Sequence, residues 1–247
     1  MSHDRLGIER SFRVPYGVPN EVRRVDVEPV SAPGRVPRAG GRAGPPPTTA
    51  VAAGDDATAA VIIAAAVEMM SSHGYHGTSV RDIAEAAGVS AGALYHHFGS
   101  KHDLLVTILD RGMDRLVHRT EDALFHAGDD PADRLRAIVE VHVLAHAVSR
   151  RESLIGNSEL RSLSPQAAAL IIAKRDTQQR MFDRVVEDGV RRGVFTTSHP
   201  AEASRFIVSA CTAVAGWFNG AGELPAQEIA ARYQRIALDT VGHRGER

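Results

Sequence analysis

Residues 78–98 and their immediate neighbours carry the side chains whose chemistry is easiest to read. Thr78, Ser79, Tyr95, His96 and Lys101 supply hydroxyl, imidazole and ammonium groups within a short stretch. Donors of these kinds suit the oxygens of a phosphate backbone. Ala91, Gly92 and Ala93 follow Ser90 and have almost no side chain. A main chain with so little on it can come close to base edges, and an alanine methyl can touch a thymine methyl. The competing interpretation is structural: a helix pair packed through Ala and Gly, with Tyr-His-His as an ordinary half-exposed surface.

Two short helices must hold these groups. Thr78 or Ser79 is placed to cap the first, with Asp82 three residues beyond Ser79 as the acid of a capping box, and Gly88 ends it by taking positive φ. Ser90 caps the second, which stops at Gly99, and Ser100 caps a long helix to about residue 126. Ala84 and Ala87 allow close approach, Ile83 and Val89 fill the space between the helices, and Leu94 anchors the second helix inward. Asp55, Asp56 or Thr58 is expected to cap an earlier helix reaching about His73, with Ile62, Ala66, Met69 and Met70 as its apolar stripe. The expected core face of the long helix is Leu104, Leu105, Ile108, Leu109, Leu116 and Leu124.

The run GYHGTSVRDIAEAAGVSAGALYHHFGSKHDLL (74–105) resembles the DNA-binding region of TetR/AcrR-type regulators. The matching features are the Gly before the first helix, Thr78, Arg81-x-Ile83-Ala84, Ala87-Gly88-Val89-Ser90, Leu94 to Phe98, and Ser100-Lys101. The resemblance implies that Thr78, Ser79 and Arg81 lie near phosphates, that Ser90, Ala91, Gly92 and Ala93 face bases, and that Tyr95, His96 and Lys101 clamp the backbone. It further implies an all-α fold: an N-terminal helix-turn-helix three-helix DNA-binding domain (55–115), then a C-terminal helical ligand-binding and dimerisation bundle (116–247). The implied function is a ligand-responsive transcriptional regulator. Repressor is the commoner habit of the family, released from a double-stranded DNA operator by a small hydrophobic or CoA-thioester effector.

Beyond residue 126 helices are expected from Asp130-Pro131, from Ser164-Pro165 to Gly193, from Pro200 and from Pro225. A weaker one covers 150–163, interrupted at Gly156-Asn157. The last two helices, about 200–242, are candidates for a homodimer interface through Trp217, Phe218, Ile229, Tyr233, Ile236 and Val241; alternatively these residues fill one subunit's core. The segment 173–195 is similar to a branch of the family that responds to acyl-CoA ligands. That similarity makes Arg175, Gln178, Gln179 and Phe182 candidate ligand contacts. Lys174, Arg175 and Arg180 would meet phosphates, with Met181 and Phe182 beside an apolar chain. A solvated charged face is the plainer account of the same residues.

The rest of the composition narrows the field. The chain has 247 residues, 43% hydrophobic but only 5% aromatic, so its core is aliphatic. Net charge is −1, from 29 basic and 30 acidic residues, which gives no global pull toward nucleic acid. One cysteine, Cys211, excludes an intrachain disulfide and fits a reducing cytoplasm as an inert core thiol. No apolar run is long enough for a membrane span, and no signal-peptide core is present. Residues 1–54 are rich in Pro, Gly and Arg and are expected to be a disordered tail, with a basic minor-groove arm as the alternative. His142 and His146 have a spacing that can bind metal, but no third ligand has a clear place. No Walker loop, G-x-S-x-G or H-E-x-x-H occurs, so neither a cofactor nor catalysis is expected. The rival from another class is a helical small-molecule carrier or enzyme without DNA binding.

Overall fold

The computed structural model describes residues 49–244. The expectations for residues 1–48, the tail and the basic arm, fall outside that range. Among the described residues there are nine α-helices, one 3-10 turn and no strand. In order they are α1 (Thr49–His73), α2 (Val80–Ala86), α3 (Ala91–Phe98), α4 (Lys101–His126), α5 (Pro131–Val148), α6 (Arg150–Ser158), the 3-10 turn (Glu159–Ser162), α7 (Pro165–Arg191), α8 (Pro200–Trp217) and α9 (Ala226–Thr240).

Short polar caps set most of the boundaries. Ser79, Ser90, Ser100, Asp130 and Ser164 each accept a backbone N–H of the following helix. Gly74, Gly88 and Gly99 all have φ near +70°, which lets the chain turn sharply after α1, α2 and α3. Two expected boundaries are corrected. The first helix already runs through Asp55, Asp56 and Thr58, so none of them caps it, and residues 49–54 are helical rather than part of a tail. Gly156-Asn157 does not interrupt α6. Gly156 lies against Leu109 and its carbonyl accepts Arg175 Nη2 at 2.6 Å, so tertiary contacts outweigh a weak propensity.

Two apolar clusters hold the helices. The first joins Ile62, Ala66 and Met70 of α1, Ile83 and Ala84 of α2, Leu94 and Phe98 of α3, and Leu104, Leu105, Ile108 and Leu109 of α4. Ile155 of α6 and Ile171 of α7 complete it, so the small N-terminal unit is closed by residues from much later in the chain. The second is built on α5, which packs against α4, α7, α8 and α9. Leu116 is buried on α4, while Leu124 only leans on the second cluster, and Met69 is half-buried. Polar bridges reinforce the seam between the units. Ser164 N donates to His102 Nε2 at 3.0 Å, and Ser162 Oγ lies 3.3 Å from His76 Nε2. No helix among the described residues is long and apolar enough to cross a membrane.

Candidate functional site

Helices α2 and α3 form a compact bihelical unit whose inner side is fixed and whose outer side is open. Leu94 is wholly buried and Phe98 nearly so, which pins α3 at two points one turn apart. The opposite side presents Ala91, Gly92, Tyr95 and His96 as exposed residues, with Ala93 half-buried. Ser90 is exposed, and its oxygen accepts Ala93 N at 3.1 Å, a bond that does not use its own proton. At the start of α2, Ser79 and Asp82 satisfy each other's backbone N–H groups at 3.1 and 2.9 Å. These bonds from Ser79 hold the Asp82 carboxyl below the usual carboxylate range. Arg81 is exposed beside them.

Two expected donors face inward. Thr78 is buried, with a relative exposure of 1%, and its hydroxyl donates to Gly74 O at 2.9 Å. It closes the turn after α1 and does not offer a proton to an outside anion. Lys101 donates to Tyr75 O at 2.9 Å and Thr78 O at 2.8 Å, with its ammonium 4.3 Å from the centre of the Tyr75 ring. That ammonium ties the first turn of α4 to the loop ahead of α2, so a backbone clamp is not its main engagement.

The candidate ligand residues of α7 face three different neighbours. Arg175 reaches α6 through the Gly156 carbonyl. Gln179 donates to Asp183 Oδ1 at 2.8 Å and to Ser204 Oγ of α8 at 2.9 Å. Gln178 and Phe182 point into the bundle and are 2% and 0% exposed. Lys174 is a candidate phosphate contact, with a solvated charged face as its plainer account. Instead it pairs with Asp110 and Asp114 of α4 at 2.5 and 2.6 Å, so two carboxylates already neutralise it. Arg180 is exposed and bonds Thr177, while Met181 is buried.

Around Gln178 the structure assembles groups that the sequence left scattered. Gln178 Nε2 donates to Thr120 Oγ1 of α4 at 2.9 Å and approaches His142 Nδ1 of α5 at 3.4 Å. The far nitrogen of His142 lies 3.0 Å from Thr212 Oγ1 of α8. His142 and His146 stack with ring centres 4.5 Å apart. Burial, and secondarily the neighbouring His146, pushes the His142 imidazole well below its ordinary value. Burial also lowers His146, against the raising effect of its bond to the His142 carbonyl. No third His, Cys, Asp or Glu joins the pair among the described residues. Thr120, a hydroxyl in the middle of an apolar helix face, was the sequence signal for this cluster. Cys211 lies nearby in the core, where burial pushes its thiol up to about 12.

On the last two helices the six apolar candidates divide. Phe218, Ile229 and Val241 fill the subunit's own core. Trp217 and Ile236 are about half exposed, and Tyr233 is half-buried and stacked on Trp217 at 6.3 Å. Phe206 adds a further exposed ring on α8.

Known proteins share this arrangement. The family model described as bacterial regulatory proteins, tetR family, matches residues 62–108, and the tetracyclin repressor-like C-terminal domain matches residues 128–241. The HTH-type transcriptional repressor KstR2 of Mycobacterium tuberculosis is 30% identical over 179 residues, covering 72% of this chain and 89% of KstR2. A tetR-family regulatory protein from Rhodococcus RHA1 superposes with a TM-score of 0.71 at 34% identity, over 76% of this chain and 98% of that one. The structure of the ketosteroid transcriptional regulator KstR2 of Mycobacterium tuberculosis gives a TM-score of 0.70 at 26% identity, over 75% and 95% of the two chains. With an open helix-turn-helix face at one end, a helical bundle at the other and matches over both, the chain belongs to the TetR family of bacterial transcriptional regulators.

Proposed function

We propose that this chain is a homodimeric repressor that holds a DNA operator through α2 and α3 and lets go when a small apolar effector enters the bundle of α4 to α9. One observation carries the DNA half. α3 is anchored by Leu94 and Phe98 while Ala91, Gly92, Tyr95 and His96 face solvent uncovered. In this reading Ser90, Ala91, Gly92 and Ala93 lie on base edges, and Ser79, Arg81, Tyr95 and His96 contact the backbone. Lys101 and Thr78 support the unit from behind. The division into a DNA-binding part to about residue 115 and an effector and dimerisation part beyond it is supported by the two apolar clusters, although the first also takes in Ile155 and Ile171. α4 is the shared beam, since it contributes to both.

The effector half rests on KstR2, whose structure is described as that of a ketosteroid regulator, and on the notable burial of polar side chains in this bundle. An apolar skeleton, free or carried as a CoA thioester, is compatible with the aliphatic interior in which Phe182, Val185 and Ile207 are buried. Coupling on the order of 1–3 kcal/mol between the sites would lower operator affinity about 5- to 150-fold.

The test is a gel shift of fragmented genomic DNA with the purified full chain, followed by addition of a panel of CoA thioesters and steroids. Retarded fragments that are released by a panel member support the reading. Absence of any retarded fragment at low salt, with a folded dimer present, favours a carrier that has no DNA role.

A further inference from the structure

Two buried polar side-chain atoms among the described residues have no hydrogen-bond partner, Arg134 Nε near the start of α5 and Gln178 Oε1 on α7. Gln178 is buried, and its Oε1 accepts no hydrogen bond. The orientation of its amide is fixed by its neighbours. Thr120 Oγ1 lies 2.8 Å from Leu116 O, so the threonine proton goes to that carbonyl and its oxygen can only accept. The Gln178 atom facing Thr120 is therefore the nitrogen, and the oxygen is the atom left over. The other amide proton goes toward His142 Nδ1, which makes that nitrogen an acceptor and puts the His142 proton on Nε2, toward Thr212. His146 Nδ1 donates to the His142 carbonyl at 2.8 Å. Four helices thus place their polar groups at one point in an aliphatic core and use up the donors of Gln178, His142 and Thr120. Buried acceptors without a partner are rare in native proteins and ask for a reason.

We infer that Gln178 Oε1 is the reading head of the effector site, accepting a hydrogen bond from a hydroxyl on an otherwise apolar effector. This rests on the proposal above that the bundle takes such an effector. A ketone or thioester carbonyl cannot serve, because it brings another acceptor to an acceptor. A cationic amine is disfavoured, since Phe182 lies edge-on to His142 at 5.5 Å and the surroundings are too apolar to solvate a charge. The effector is thereby a hydroxylated apolar skeleton, a hydroxyacyl chain or a sterol-like alcohol. The corresponding ketone or unsubstituted chain is the discriminated analogue.

Matched pairs test this in the full-length dimer: 3-hydroxydecanoyl-CoA against decanoyl-CoA, and testosterone against androstenedione. Each is measured by thermal shift and by release of a selected operator duplex. The hydroxylated member of at least one pair is expected to bind about tenfold tighter or more, since a lone buried acceptor gains its bond only from that member. Gln178→Met, which keeps volume and removes the acceptor, is expected to abolish the preference and leave the weaker member's affinity in place. His142→Asn serves as a second variant should Gln178→Met fold poorly; it frees one amide proton of Gln178 and weakens the preference without abolishing it. Which pair responds identifies the source of the hydroxyl. Equal binding of both members, or a preference that survives Gln178→Met, overturns the inference while leaving the regulator reading intact. If no member of either pair binds while DNA is still bound, the effector reading and this inference fall together.

Discussion

At residue scale the most telling position is Gly92. It has no positive φ, and a Cβ built there would meet nothing nearer than Ser90 Oγ at 3.7 Å. Nothing inside the subunit therefore requires glycine, and alanine in a helix is favoured over it by up to about 1 kcal/mol. The requirement must come from outside if α3 lies on base edges. Gly92→Ala is accordingly expected to keep or raise the melting temperature while weakening binding to a selected operator about tenfold. Melting curves and fluorescence anisotropy measure the two effects separately. Undiminished affinity would move the base-reading surface away from the start of α3. Thr78 makes the opposite point: its type suggested an outward donor, yet its hydroxyl is consumed by the Gly74 carbonyl. Residue type and spacing identified the unit, but not which side each hydroxyl faces.

At the scale of elements, local grammar made most of the fold legible. Ser79-Asp82, Ser90, Ser100, Asp130-Pro131 and Ser164-Pro165 start helices where their side chains can satisfy exposed N–H groups. Long-range partnership was not legible, because it depends on which helices meet. The Lys174 pairing with Asp110 and Asp114 spans 64 and 60 residues, and the junction of His102 with Ser164 spans 62. Lys101 shows the functional consequence. A phosphate clamp at this position would make its removal lower the salt slope of binding by about one. The structure instead engages it with two internal carbonyls and the Tyr75 ring. Lys101→Met is expected to cost about 1.5–3 kcal/mol of stability, the range for hydrogen bonds to a charged group. It should weaken DNA binding through a misplaced α2, with the salt slope unchanged. Titrations at several salt concentrations distinguish the two roles.

At the scale of the whole molecule, burial of His142 and His146 links folding to pH. Both imidazoles are held below their ordinary value in the folded chain, His142 well below. As pH falls through about 6.5, the unfolded chain takes up protons at these positions before the folded chain can. Stability is therefore full above that pH and declines below it, by up to about 1.4 kcal/mol per pH unit for each histidine. Urea melts between pH 7.5 and 5.0 measure this, and His142→Gln should flatten the decline; a flat profile in the native chain would mean that the core accepts an imidazolium. The outer surface leads to a second prediction. Phe206, Trp217 and Ile236 are 58%, 51% and 50% exposed on α8 and α9. A pair of helices with such a face is suited to pack against its own copy as a four-helix bundle. Phe206→Glu with Trp217→Glu changes only half-exposed positions, so the helical content and the subunit's own core should persist. Sedimentation is expected to show a monomer, and operator affinity to fall more than 100-fold. One subunit reaches one half-site, whereas two reach half-sites about 34–36 Å apart. The salt slope should fall to about half as well, because a monomer displaces half the counterions. A dimer that survives both glutamates would place the symmetric contact on another face. Loss of affinity with the full slope retained would mean that the substitutions disturbed α2 and α3 and left the assembly alone.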